Sequence, residues 1–189
     1  MRLKLKILTF LVLSTLLTFS FAFAQETFSK FGITMQIPEG WITNLSSPEV
    51  QSLRSISSIG DPTSELAIFT TDAKISAISG MISLSAAKIV NSNITPRDYA
   101  GLYYLYWDAA GDVTPLEDVI INDLKGVRFD VTLDFPAASA KVTERYYFFI
   151  KNSLLVKINL KADPKYFDKY GLVSEEVVSN LKIDSTNSE

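Results

Sequence analysis

Cysteine and histidine are both absent from the 189-residue sequence. Without a thiol the chain forms no disulfide, and no acyl chain can be attached to a processed N-terminal Cys. Zinc, copper and haem lose their usual protein ligands when both residues are missing. Cysteine proteases and Ser-His-Asp hydrolases are excluded for the same reason. The sequence therefore predicts no cofactor and no metal, and it favours a protein that is not an enzyme.

The first 24 residues have the pattern of a signal peptide. Arg2, Lys4 and Lys6 form a positive region, residues 7–23 form an apolar run, and Ala22-Phe23-Ala24 fits the cleavage rule for small residues. We expect cleavage after Ala24 and a periplasmic or secreted protein. The alternative is an uncleaved N-terminus that tethers the protein, and only in that case is a membrane expected as a partner.

Positive charge is scarce once this segment is removed. The signal peptide takes three of the 18 Lys+Arg residues and none of the 21 Asp+Glu residues, which changes the formal charge from −3 to −6. No polybasic stripe remains to neutralise phosphates, so nucleic acid is excluded as a partner. We expect a single domain over residues 25–183 and a disordered polar tail over residues 184–189.

Two runs rich in aromatic and branched residues flank Lys151-Asn152-Ser153 and predict a long β-hairpin. A loop with an even number of residues places Glu144 near Lys161. One face of the hairpin then carries Tyr147, Phe149, Val156, Ile158 and Leu160, and the other carries Glu144, Tyr146, Phe148, Lys157, Asn159 and Lys161.

Alternation of apolar and polar residues predicts further strands at 33–37, 66–71, 81–90, 113–121 and 127–135. A capping residue followed by Pro marks three helix starts, at Ser47, Thr95 and Asp163. These signals predict helices over 47–60 and 95–109, a short helix that ends at Gly171, and a last helix that begins at Ser174. Residues 72–80 fit a helical turn and a loop equally well. Short connections predict a largely antiparallel sheet covered by helices, an α+β sandwich.

The helix over 95–109 is apolar almost all round. A broad arc contains Tyr99, Leu102, Tyr103, Tyr106 and Trp107, and Tyr104 and Leu105 fall outside it. One interpretation is that the aromatic residues only cover the sheet. The other is that Tyr104, Leu105 and Trp107 form an exposed patch that binds a partner, because aromatic residues are enriched at interface hot spots.

Acidic residues are frequent between Asp112 and Asp134, but they match no D-x-D-x-D-G calcium loop. Asp130 and Asp134 share one face of a predicted strand, which places their Cα atoms about 13 Å apart. That distance exceeds the roughly 5–9.5 Å between the carboxyl groups of a glycosidase. The sequence therefore assigns no catalytic residue and no metal ligand.

The segment from Phe31 through Pro38-Glu39-Gly40-Trp41 resembles the opening of PsbP-like and DcrB-like exported proteins, in which an early Phe precedes a Pro and, three residues later, a Trp. The order of the later elements is similar as well. The resemblance, to the Mog/PsbP superfamily, implies a three-layer α/β/α sandwich with a central, mainly antiparallel sheet of about six to seven strands. It also implies an accessory or binding protein.

These observations together predict an exported, non-enzymatic binding or accessory protein of the cell envelope. It would contact a protein or a small ligand through a sheet edge or the aromatic helix. Two alternatives stay open, a hydrolase that uses carboxylates alone and a membrane-tethered structural accessory with an uncleaved signal.

Overall fold

The computed structural model describes residues 26–44, 52–71, 80–91, 93–136 and 139–184. The signal peptide, most of the segment 72–80 and the end of the polar tail lie outside these ranges. The described residues form twelve strands and two helices. The helices are α1 (Pro96–Asp108) and α2 (Pro164–Ser179). The strands are β1 (Thr27–Lys30), β2 (Ile33–Gln36), β3 (Ile42–Asn44), β4 (Ser55–Ile56), β5 (Ser64–Thr70), β6 (Met81–Ile89), β7 (Asp112–Val113), β8 (Glu117–Ile121), β9 (Leu124–Phe135), β10 (Ala140–Lys151), β11 (Leu154–Ala162) and β12 (Lys182–Ile183).

The main sheet has the strand order β3-β5-β6-β11-β10-β9-β7, with β4 beside β6 and β8 beside β9. Every pairing in it is antiparallel except that of β4 with β6. The predicted antiparallel α+β fold is confirmed, although the sheet has nine strands where six to seven were expected. A second, smaller sheet has the order β1-β2-β12.

The hairpin of β10 and β11 lies at the centre of the main sheet. Lys151 pairs with Leu154, so the loop contains only Asn152 and Ser153, whose φ angles are 52° and 59°. Two positive φ angles in a row define the turn that best matches the twist of a hairpin. Glu144 pairs with Lys161. The predicted even loop and the two predicted faces are confirmed.

Each face of the main sheet carries its own hydrophobic core. On one face, α2 and the small sheet cover Tyr147, Phe149 and the apolar face of β11. On the other face, α1 covers Phe129, Tyr146 and Phe148. The three predicted layers are therefore present, and the layer that contains α2 is completed by strands as well as by a helix.

The prediction of a helix over residues 47–60 is wrong for the part of that range that the structure describes. Residues 45–51 lie outside the described residues, and Ser55–Ile56 is strand β4, parallel to β6. Leu53 and Ile56 are both buried, but they belong to the cores on opposite faces of the main sheet. A spacing of three residues places side chains on one face of a helix and on opposite faces of a strand, and the sheet offered apolar surface on both faces.

Two other boundaries differ from expectation. Helix α2 runs through Gly171 without a break. Gly171 is the point where Arg145 packs against the helix, since an added Cβ would lie 3.3 Å from Arg145 Nη1. The strand expected over 113–121 is divided around Pro115 into β7 and β8. Phe135, expected to point inward, is exposed.

Within the described residues, α1 and α2 are both too short or too polar to cross a membrane.

Candidate functional site

A cleft of about 420 Å³ opens at the break between β7 and β8. Pro115 interrupts the edge of the sheet there, and Thr114, just before it, still forms a backbone hydrogen bond to β9 as a strand residue would. The amide of Thr114 donates to the carbonyl of Asp130 (2.9 Å), and the amide of Asp130 donates to the Thr114 hydroxyl (2.8 Å). The break therefore leaves the backbone of Asp130 satisfied and opens space beside it. The cleft is lined by Thr114, Pro115, Leu116, Glu117, Arg128, Phe129, Asp130 and Arg145.

Two arginines and three carboxylates form a network along one wall of this cleft. Arg145 donates to both carboxylate oxygens of Asp130, at 2.8 and 2.9 Å, and to Glu175 on α2 at 3.1 Å. Arg128 donates to Glu117 at 2.8 Å and approaches Glu175 at 3.4 Å. The hydrogen bonds from Arg145 to Asp130 raise the pKa of this guanidinium. Glu175 does not line the cleft, so the charged groups that do are two arginines and two carboxylates, and their charges balance.

The strand next to the cleft is an open edge. Among the described residues β8 pairs only with β9. A two-residue turn, Asn122 and Asp123 with φ angles of 48° and 65°, joins them and pairs Ile121 with Leu124. The two residues that flank such a turn exchange both of their backbone hydrogen bonds. Along the ladder, hydrogen-bonded pairs then alternate with pairs that are not hydrogen-bonded. The amides of Asp118 and Ile120 consequently point away from the sheet. Ile120 is 73% exposed.

The structure places the three residues of the predicted patch on α1 in different surroundings. Tyr104 is half-buried and lies roughly perpendicular to the Phe129 ring, with 6.1 Å between the two ring centres. Trp107 is half-buried beside Tyr146, with 6.3 Å between the ring centres. Leu105 is 69% exposed. The three therefore do not form one exposed surface.

The predicted arc of α1 is also rotated in the structure. The helix packs through Tyr99, Ala100 and Tyr103, whereas Leu102 and Tyr106 are exposed. Ala100 is completely buried, so the helix approaches the sheet closely at that point, and Leu102 and Tyr106 lie outside the contact. A helical wheel gives every apolar residue the same weight, so it does not show which of them pack against the sheet.

A buried carboxylate lies at the other side of α1. Glu144 accepts hydrogen bonds from the Tyr146 hydroxyl and from Asn159 Nδ2 (3.2 Å), and Lys161 Nζ lies 3.4 Å from it. Burial raises the pKa of Tyr146, and the charge of Glu144 adds to that effect. The group is satisfied within the chain and stabilises the hairpin.

Several of the acidic residues noted in the sequence pair with cations on neighbouring elements. Asp130 pairs with Arg145, and Asp134 pairs with Lys141 at 3.2 Å, each directly across from β10. Asp118 pairs with Arg97 of α1 at 2.7 Å. In the described ranges no three acidic residues come together as a metal-binding group.

Sequence reasoning did not find Thr114, Arg128 or Arg145 as residues of a site. A signal for Arg145 was present, because oppositely charged residues occur on facing strands at Asp130 and Arg145. This signal is useful only when the register of β9 against β10 is known. Residues 137 and 138, which join the two strands, lie outside the described ranges.

No protein-family model matches the chain, and no curated protein is similar to it in sequence. Solved structures do match. The solution structure of cyanobacterial PsbP (CyanoP) from Synechocystis sp. has a TM-score of 0.59 at 13% identity, and the match covers 87% of this chain and 96% of that one. LpqN of Mycobacterium tuberculosis, described as involved in cell envelope biogenesis, has a TM-score of 0.52 at 9% identity, covering 85% and 86% of the two chains.

A third match is PA94 of Pseudomonas aeruginosa, a protein of unknown function described as a putative regulator. Its TM-score is 0.50 at 13% identity, with 82% of this chain and 94% of that one covered. Identities this low relate folds and do not relate functions. The three matches each cover more than four fifths of this chain, and the chain has the PsbP-like α/β/α sandwich fold.

Proposed function

We propose that this protein is an exported, non-enzymatic accessory protein of the cell envelope that binds an extended segment of a partner protein. The segment adds to the open edge of the main sheet at β8 and places a side chain in the neighbouring cleft. The observation that carries the proposal is the juxtaposition of an unpaired edge, an exposed apolar residue at its centre, and a cleft of about 420 Å³ at its start.

Strand addition uses both features of this edge. The outward amides of Asp118 and Ile120 supply main-chain hydrogen bonds, which are independent of the partner's sequence. The cleft supplies selectivity, because its lining combines the apolar residues Pro115 and Leu116 with charged side chains. Its two arginines and two carboxylates are already paired with one another, which favours a neutral side chain over a charged one.

Several observations support binding over catalysis. The carboxylates of the cleft, Glu117 and Asp130, both accept hydrogen bonds from arginines and are therefore already engaged within the chain. The chain has no imidazole or thiol to activate a nucleophile. The signal-like N-terminus supports export, and the description of LpqN, a protein of the same fold, names the cell envelope.

The test is capture of partners from the native envelope by wild-type protein and by two variants at one position. Ile120→Pro removes an amide that points away from β9 and leaves the β8–β9 ladder intact. Ile120→Thr keeps the amide and the branched shape. We expect Ile120→Pro to lose the captured partner and Ile120→Thr to retain it.

Hydrogen exchange on the wild-type complex gives a second measurement. Binding should slow exchange of the Asp118 and Ile120 amides and leave the already bonded amides of Val119 and Ile121 unchanged. A partner that binds both variants equally, or that protects no amide of β8, would exclude strand addition. Turnover of a substrate that Asp130→Asn abolishes would favour the hydrolase alternative instead.

A further inference from the structure

The outward face of α1 has three features that nothing else in the described residues explains. Arg97, Gly101 and Leu105 follow one another at intervals of four residues and so form one ridge, and Asp108 lies one turn beyond Leu105. This ridge lies opposite Tyr99, Ala100 and Tyr103, which pack on the sheet. Apart from the ion pair between Arg97 and Asp118 on β8, it therefore faces away from the sheet.

Gly101 is the first of these features. Glycine in the middle of a helix lowers helix stability relative to alanine. A glycine is often required where another group packs closely, but a Cβ added to Gly101 would meet no atom within 4 Å. Nothing within the described chain requires the glycine, and the open surface beside it can accept a closely packed group from outside the chain.

The two charges are the second feature. Arg97 lies in the first turn of α1 and Asp108 in the last turn, and each has the charge that the helix dipole disfavours at that end. Arg97 has an ion-pair partner in Asp118, but both side chains are at least half exposed, which makes the pair weak. Asp108 has no ion-pair partner within the part of the chain that the structure describes.

Leu105 is the third feature, a large apolar side chain at the centre of the same face and 69% exposed. One arrangement accounts for all three. If a second α1 packs antiparallel across this face, its C-terminal turn lies beside Arg97 and its N-terminal turn lies beside Asp108. Both charges then lie beside an opposite charge and beside the end of the second helix's dipole that attracts them.

We propose that the protein forms a symmetric dimer in which α1 packs antiparallel against α1 of a second copy. The two-fold axis passes between Gly101 and Leu105, so that Leu105 of each copy lies over Gly101 of the other and Arg97 of each reaches Asp108 of the other. Such an interface is self-complementary, as a two-fold requires. Tyr104 and Leu102 flank the contact, and Trp107 packs within its own chain and does not take part.

The dimer uses a different element from the strand-addition site, although the ion pair between Arg97 and Asp118 connects the two, and it should be weak. A single pair of helices of 13 residues buries less surface than stable interfaces do, so we expect a dissociation constant on the order of 10–100 µM. Sedimentation velocity between about 5 and 500 µM spans that range.

The decisive experiment exchanges the charges. Arg97→Asp alone and Asp108→Arg alone each place like charges at both ends of the interface, and each should weaken association about tenfold or more. The double variant, Arg97→Asp with Asp108→Arg, restores opposite charges and should return the dissociation constant to within about threefold of wild type. Asp118→Asn controls for the ion pair that Arg97 makes within its own chain and should leave association unchanged.

Two further variants separate association from folding. Gly101→Ala should raise the thermal midpoint of the isolated chain and weaken the dimer, a combination that a damaged fold cannot produce. Leu105→Asp should abolish the dimer, whereas Leu172→Asp, on α2 and 70% exposed, should have no effect.

Wild-type protein that remains monomeric throughout the concentration range would overturn the proposal. So would a double variant as weak as the single ones. If wild type is monomeric but Leu105→Asp loses capture of another envelope protein, the face belongs to that partner and the dimer is wrong.

Discussion

Tyr99 shows how one buried polar atom on α1 links the helix to a distant loop. The residue is 1% exposed, and its hydroxyl donates to the backbone carbonyl of Asp61. Burial raises the pKa of Tyr99 to about 12, with smaller contributions from Tyr103 and Asp61. Asp61 is itself held as a carboxylate, because the amides of Ser57 and Ser58 donate to it and lower its pKa.

The raised pKa of Tyr99 predicts a loss of stability in alkali. The unfolded chain ionises near pH 10 and the folded chain near pH 12, so stability is fully present below pH 10 and falls by up to about 1.4 kcal/mol per pH unit as pH rises towards 12. Tyr99→Phe should be about 1 kcal/mol less stable than wild type at pH 8, because it loses a hydrogen bond. The deficit should shrink as pH rises through 10.

Urea unfolding at pH 8 and at about pH 10.5, an interval in which the unfolded phenol ionises, measures this change. Tyr106→Phe is the matched control, since Tyr106 is 67% exposed on the same helix. If the Tyr99→Phe and Tyr106→Phe curves stay parallel to wild type across that interval, burial of the Tyr99 hydroxyl does not control the alkaline transition.

At the scale of elements, tight turns with positive φ set the register of the sheets. Phe31 with Gly32, Asn122 with Asp123, and Asn152 with Ser153 all have positive φ angles and join adjacent antiparallel strands. Only the first contains a glycine. A residue with a Cβ is strained in this region, so the other two turns carry strain that the paired strands maintain.

Relief of that strain in the central hairpin should stabilise the protein. Ser153→Gly creates Asn-Gly, the pair best suited to this turn, and should raise the free energy of unfolding by about 0.5–1 kcal/mol. Ser153→Ala keeps the Cβ and loses the hydroxyl, so it should be no more stable than wild type. Thermal unfolding should show a rise of about 2–4 °C per kcal/mol for the glycine variant alone. A rise for both variants would mean that positive φ at residue 153 is not the source of strain.

At the scale of the whole molecule, Arg145 joins elements from two layers. Its guanidinium contacts Asp130 on β9 and Glu175 on α2, and it lies 5.2 Å from the centre of the Phe167 ring. Gly171 leaves room for it beneath α2. Arg145 therefore adds a charged connection between the layers to the apolar contacts that hold α2 over the sheet.

Asp130→Asn should disturb that junction. The variant replaces a carboxylate that accepts two hydrogen bonds from Arg145 with a neutral amide that has one acceptor oxygen, and leaves Glu175 as the remaining carboxylate partner of the partly buried guanidinium. This loss should lower the free energy of unfolding by roughly 2 kcal/mol. Asp134→Asn is the matched control on the same strand, because Asp134 and Lys141 are both more than half exposed; its effect should stay below about 0.5 kcal/mol. Equal urea midpoints for the two variants would show that Arg145 does not depend on Asp130.

The sequence alone determined what local chemistry controls. The absence of cysteine and histidine limits the chemistry of any site wherever the chain folds. Thr95 and Asp98 cap α1 reciprocally in the structure, and their hydrogen bonds lower the pKa of Asp98. The hairpin at Asn152 was predictable as well, because its strands alternate with period two and asparagine tolerates positive φ.

Tertiary structure alone decided which of two local patterns prevailed. Leu53 and Ile56 fit a helix and a strand equally well, and the neighbouring strand β6 selected the strand. Gly171 resembled a helix end until Arg145 was placed beneath it. The cleft at Pro115 and the outward ridge of α1 arise from contacts between residues far apart in the chain. Their positions depend on which neighbours each side chain meets, and a single sequence does not contain that information locally.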